Sequence, residues 1–144
     1  MSEASTSDVG LLDTSVVIDL QRIARDALPA ELAICAITHA ELAAGPHAAR
    51  DRAVAAVRQD RLQRTEAVFD PIPFGLGAAR AYGRIAAAVR ESGRQPRRRV
   101  ADLLIAAVAL AEDLPLLTRN PADFAGLDNL IEVREVGLAD EPTT

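Results

Sequence analysis

Val9-Gly10-Leu11-Leu12-Asp13-Thr14-Ser15-Val16-Val17-Ile18 is the stretch whose reading decides the fold. Residues 9–12 form an unbroken apolar run, short as buried strands are. The run ends on an acid, Asp13, and residues 14–21 continue with Val16, Val17 and Leu20 at helical spacing. A buried strand that passes straight into a helix is how an α/β chain begins.

Moving outward, Pro29 breaks the chain, and residues 32–35 read as a second buried strand. Residues 37–44 read as a short helix stopped by Gly45-Pro46. Segment 48–68, with Ala53, Val54, Val57 and Leu62, and segment 76–91 read as amphipathic helices. Between them, Asp70-Pro71-Ile72-Pro73 leaves room only for a very short strand. Residues 100–112 are apolar nearly all round and predict a buried helix. Strands at 115–118 and 130–134 flank one helical turn at 121–124. The alternation predicts an α/β fold with a mostly parallel sheet, whose ligands bind beyond the carboxyl ends of the strands. One domain spans 9–138, between an N-terminal tail at 1–8 and a C-terminal tail at 139–144.

Composition supports a single domain with an aliphatic core: 144 residues, of which aromatics are only 3%. The lone cysteine, Cys35, excludes an internal disulfide and a cysteine metal site, and reads as an inert core residue in a reducing compartment. The start of the chain is polar and acidic, unlike a secretory leader. The longest apolar stretch, 103–111, is about half of what a membrane span needs. A cytoplasmic protein that does not enter a membrane is expected.

The net charge of -5 is unevenly laid down. Residues 50–99 hold twelve arginines against five acids, whereas the rest of the chain holds four arginines against sixteen acids, and lysine is absent. An acidic site beside an arginine-rich surface would segregate charge in this way. A pair of solvated helices would do so equally well.

Four carboxylates stand at strand ends or in first helical turns: Asp13, Glu41, Asp102 and Asp123. Each has a local explanation. Asp13 reads as a helix N-cap and Thr38-x-x-Glu41 as a capping box. Asp102 would complement a helix dipole, and Asn120-Pro121-x-Asp123 reads as a cap, a first-turn proline and a first-turn acid. Together the local explanations weaken, because capping needs no charge and neutral Thr14, Ser15, Thr38, Thr118 and Asn120 already occupy these places. Helices that follow parallel strands start at one sheet edge, so the four acids should converge. Converging acids repel unless protonated or bridged by a cation. A set of oxygen donors without His or Cys suits Mg²⁺, or Mn²⁺, rather than zinc.

Four segments resemble the PIN-domain family, in particular the VapC toxins of bacterial toxin–antitoxin pairs. They are Leu11 to Ile18, Ile37 to Gly45, Val100 to Ala107 and Leu117 to Phe124, in order and with matching spacing across residues 9–134. The resemblance implies a three-layer sandwich with a five-stranded, mostly parallel sheet between helices. It also implies Mg²⁺-dependent RNA cleavage, a homodimer and a cognate VapB-like antitoxin. Carried over residue by residue, Asp13 and Asp102 would bind the metal directly, and Glu41 and Asp123 would complete the catalytic set. Thr14, Thr118 and Asn120 would orient the carboxylates or a phosphate. Metal-activated water would attack the phosphorus, and an arginine of the antitoxin could replace the cation's charge.

The other polar residues carry less. His39 and His47 lack partners at ligand spacing, Asp19 reads as a solvated mid-helix residue, and Gly75-x-Gly77 is no phosphate loop. Arg94, Arg97, Arg98 and Arg99, just ahead of the helix bearing Asp102, would either hold RNA phosphates or meet acidic parts of a partner. Ala53, Val54, Val57, Ala81, Ile85, Ala86 and Val89 are expected to leave small-residue faces for helix pairing between two copies. The contrasting reading is a non-catalytic α/β signalling or binding domain with an acidic pocket, like a phospho-acceptor receiver. That class wants paired acids after the first strand and a late lysine, and neither is present.

Overall fold

A computed structural model describes residues 8–139. The expected terminal tails lie almost wholly outside the described residues. Five helices form: α1 (Thr14–Ile18), α2 (Ala36–Ala48), α3 (Arg52–Val68), α4 (Leu76–Glu91) and α5 (Val100–Glu112). Four strands, β1 (Val9–Leu12), β2 (Glu31–Ala33), β3 (Leu116–Thr118) and β4 (Val133–Glu135), pair in the order β2-β1-β3-β4. Every pairing is parallel.

The sheet is the middle of three layers because its strands alternate. Leu11 and Leu116 point into a core shared with α4 and α5, while Leu12 and Leu117 point to the other face against Val16, Val17 and Leu42. Gly10 sits where β1 crosses a tight spot. A Cβ there would lie 2.6 Å from Leu117 Cδ1 and 2.9 Å from Pro29 Cγ, so only glycine lets the strand pass without moving its neighbours. Cys35 is fully buried, and burial pushes its thiol pKa up, so it stays a protonated core residue.

The sheet has four strands rather than the expected five. The fifth is reduced to a single parallel bridge between Cys35 and Ile72. Ile72 N–H donates to Ile34 O at 2.9 Å, and Ile72 O accepts from Ala36 N at 2.8 Å. Pro71 and Pro73 flank it with no N–H to donate, and the ladder stops there.

Other boundaries moved as well. Gly45-Pro46 does not stop α2, which runs on to Ala48; Arg58 of α3 donates to Gly45 O at 2.9 Å and ties the two helices together. Helix α3 starts at Arg52, where the Asp51 side chain accepts from Val54 N. Helix α3 is thinly covered: its only buried residue is Thr65, and Ala53, Val54 and Val57 stay exposed, as expected of a face the sheet cannot cover. The reverse holds for α4, whose Ala81, Ile85 and Val89 are buried in the core shared with α5 and whose Ala86 is buried too, so none is free for a second copy.

Candidate active site

Three of the four acids follow strands or open helices at the carboxyl edge of the sheet, and each is held by a different element. Asp13 directly follows β1 and is 4% exposed. Its Oδ1 accepts from Thr14 N at 2.9 Å, which makes it the N-cap of α1. Its Oδ2 accepts from Ser15 Oγ and from Thr118 Oγ1, each at 2.8 Å. Thr118 Oγ1 in turn accepts from Asn120 N at 3.0 Å, and Ser15 Oγ accepts from Arg119 N at 3.1 Å. The end of β3 and the end of β1 are thus stitched around one carboxylate. Thr118 is fully buried. Thr118→Val would leave Asp13 and the Asn120 N–H each short of a partner. It is expected to cost about 1–3 kcal/mol in chemical denaturation, the price of a stranded buried polar group; a variant as stable as the parent rules the network out as a structural element.

Asp102 lies in the first turn of α5 with its side chain 23% exposed. Burial foremost, then the charges of Asp13, Asp123 and Glu41, push its carboxyl pKa up to about 6, while Arg99 pulls the other way. Asp102 therefore senses the other three acids from its place in α5. The four do not form a tight cage, however: among the described residues no three His, Cys, Asp or Glu side chains stand close enough together to hold a metal ion on their own.

Glu41 falls in the second turn of α2 rather than its first, since the helix already begins at Ala36. It is not part of a capping box. Its Oε1 accepts from Thr14 Oγ1 at 2.5 Å, and Thr14 Oγ1 also lies 3.0 Å from Thr38 Oγ1. Asp123 sits in the 3₁₀ turn Pro121–Phe124 that follows β3. That turn is pinned by Phe124, 1% exposed in the core, and by Arg94, whose Nη1 donates to Ala122 O at 3.2 Å.

The structure adds residues that local patterns do not mark. Arg99, grouped by sequence with the basic loop, instead turns to the acids, with Nη1 3.1 Å from Asp123 Oδ1 and 3.9 Å from Asp102 Oδ2. Asp19 is not solvated in mid-helix. It ends α1 and pairs with Arg119 at 2.9 Å. Ser15 orients Asp13, a role that its place two residues after the acid could have suggested. His39 pairs with Glu66 at 2.7 Å, joining α2 to α3 away from the four acids, and His47 lies in the last turn of α2. Beside Glu41, a largely apolar groove of about 670 Å³ runs between α1, α2 and α3, with Ile18, Val54 and Val57 in its walls and Arg58 and Arg61 on its rim.

Comparison with known proteins places this geometry among relatives. The PIN domain family matches residues 10–130. Ribonuclease VapC5 of Mycobacterium tuberculosis is 38% identical over 135 residues, 90% of this chain and 96% of the relative. The crystal structure of VapBC-5, a member of the VapBC family of toxin–antitoxin systems from the same organism, superposes with a TM-score of 0.77 at 35% identity, over 91% of this chain and 99% of that one. FitAcB from Neisseria gonorrhoeae superposes with a TM-score of 0.69 at 27% identity, over 87% of this chain and 95% of the other.

Proposed function

Because the chain belongs to the PIN-domain family and to its VapC branch, we propose that it is a divalent-metal-dependent endoribonuclease, the toxin of a toxin–antitoxin pair acting in the cytoplasm. The observation that carries the chemistry is the environment of Asp102, whose carboxyl is pushed up to about 6 by burial first and then by the charges of three neighbouring carboxylates. Such a cluster favours the arrival of positive charge.

The donor set suits Mg²⁺, with Mn²⁺ as a substitute. All donors are oxygens, and Mg²⁺ takes only one or two carboxylates while keeping waters and substrate phosphates, so no three-acid cage is needed. Asp13 and Asp102 would hold the ion, and Glu41 and Asp123 would reach it directly or through water. When bound, the ion supplies a polarised scissile phosphate and a water of lowered pKa for in-line attack. The chain's own groups do the positioning. Ser15 and Thr118 fix the direction of the Asp13 carboxylate, Thr14 holds Glu41, and Arg99 offsets the charge of Asp102 and Asp123 until a cation arrives. Asn120 contributes its backbone to this bracing.

Purified chain is expected to cut RNA in Mg²⁺ or Mn²⁺ and to stop in excess chelator, with activity restored by adding metal back. Intact RNA in the presence of Mg²⁺ would defeat the reading. The same preparation tests the partners. A VapB-like antitoxin segment would lie in the apolar groove beside Glu41, with an arginine competing for the cation's place, so inhibition should weaken as Mg²⁺ is raised. A homodimer is proposed through the exposed apolar residues at the junction of α3 and α4, Val68 at 75% and Leu76 at 67% exposed. Light scattering at micromolar concentration should return twice the chain mass.

A further inference from the structure

The corner between α4 and α5 carries a second feature beside the acids. Two hollows lie there. The inner one, about 430 Å³, is bounded by Arg94, Gln95, Arg98, Arg99 and Asp123. The outer one, about 420 Å³, is bounded by Arg94, Gln95, Arg97, Arg90, Tyr82 and Val100. Arg94 and Gln95 belong to both walls, so one surface runs from Asp123 to Tyr82. We propose that this surface is a track for single-stranded RNA, with phosphates on Arg90, Arg97 and Arg98 and a base stacked on Tyr82. The inference deepens the ribonuclease reading and rests on it.

The local backbone explains the arrangement. Pro96–Arg99 is a 3₁₀ turn, with about three residues per turn, so three successive arginines fan in different directions. Arg99 turns to the acids, Arg98 to the inner hollow and Arg97 to the outer. Arg94 is spent on Ala122 O and shapes the track rather than contacting ligand. Among the described residues, no ion pair joins Arg90, Arg97 or Arg98 to a carboxylate. Exposed, unneutralised guanidinium groups in a chain of net charge -5 mark a place for polyanion.

Tyr82 decides between nucleic acid and an acidic peptide. It is the only tyrosine of the chain, half-buried, with one side packed on the core. With Val100 it gives the outer hollow an aromatic and apolar wall amid the arginines. A peptide carboxylate gains nothing from that wall, whereas an unstacked base has a π-face to lay on it. The inner hollow ends at Asp123, where a scissile phosphate must come. Bases within a duplex are stacked on one another and have no free face for Tyr82, so the ligand is single-stranded.

The test is fluorescence anisotropy of the full chain with a short labelled single-stranded RNA and the matching duplex, in chelator to prevent cutting, over a range of salt. The combined Arg90→Ala, Arg97→Ala, Arg98→Ala variant should lower the slope of log affinity against log salt by about 2, at roughly 0.7 per lost phosphate contact. Tyr82→Ala should weaken single-strand binding about 10-fold and Tyr82→Phe should preserve it. The duplex should bind more weakly than the single strand. If wild type cuts RNA and the arginine variant and Tyr82→Phe both bind as wild type does while Tyr82→Ala also shows no loss, the track is overturned and the ribonuclease reading stands. Unchanged RNA binding with impaired antitoxin capture overturns it too, in favour of a protein-binding surface. Wild type that neither binds nor cuts RNA ends both readings.

Discussion

Asp102→Asn is expected to slow RNA cleavage by more than about 100-fold, beyond the 10- to 100-fold loss seen when a group that only orients a metal ligand is removed. The same substitution should stabilise the chain in chelator. Folding lifts the Asp102 carboxyl from an ordinary 3.8 to about 6, chiefly by burial and then by Asp13, Asp123 and Glu41. That rise corresponds to roughly 3 kcal/mol. Solvent at this partly open rim, where the side chain is 23% exposed, brings the figure to about 1–2 kcal/mol.

The sign follows from proton binding. Between pH 4 and 6 the folded chain holds this proton more tightly than the unfolded one, so stability falls as pH rises through that window. Wild type and Asp102→Asn should therefore differ little below about pH 4 and separate fully above about pH 6 when unfolding is followed in chelator. Metal affinity should run the opposite way in wild type, weakening as pH drops through about 6, since a cation needs the ionised acid. Unimpaired cleavage by Asp102→Asn would remove Asp102 from the site.

Phe124→Ala should produce the largest loss of stability, about 3–5 kcal/mol, the usual cost of truncating a buried phenylalanine. Phe124 is the largest of the fully buried side chains, and it lies next to Asp123 in a turn of only four residues. Apart from Phe124 the turn is held only by polar contacts: Arg94 to Ala122 O, Arg99 to Asp123, and backbone bonds such as Asp123 N to Asn120 O at 3.0 Å. Losing the ring should therefore release Asp123 from its place beside Arg99. Activity should drop even at temperatures where circular dichroism shows the variant still folded. Phe124→Leu should retain most of the stability. Equal unfolding midpoints for Phe124→Ala and wild type would mean that the turn is anchored elsewhere.

Some of this architecture was legible in the chain alone. The apolar runs at β1 and β3 and the all-round apolar α5 are signals strong enough to set element type, and they place Asp13, Asp102 and Asp123 by position. Glu41 lies in the helix that follows β2, as its place in the chain indicates, but in the second turn and not the first, because α2 starts at Ala36, ahead of the apparent cap. Prolines at 71 and 73 cut the fifth strand to one bridge, and the tie from Arg58 to Gly45 O accompanies the continuation of α2 past Gly45-Pro46. Arg99 with Asp123, and Arg119 with Asp19, are invisible to local pattern because they depend on tertiary placement. Burial is likewise a property of the assembled layers, which is why the small residues of α4 are covered by α5 while those of α3 stay exposed.

The thin burial of α3 means that the protein does not hold its parts with equal force. Helix α5 has six buried residues, so its hydrogen bonds are expected to open only with the whole domain. Helix α3 has Thr65 alone, with the His39–Glu66 and Arg58–Gly45 links to α2. Its opening free energy is therefore expected toward the low end of the molecule's range, which amide exchange would read. The helix that walls the groove beside Glu41 is thus less firmly seated than the helix that carries Asp102.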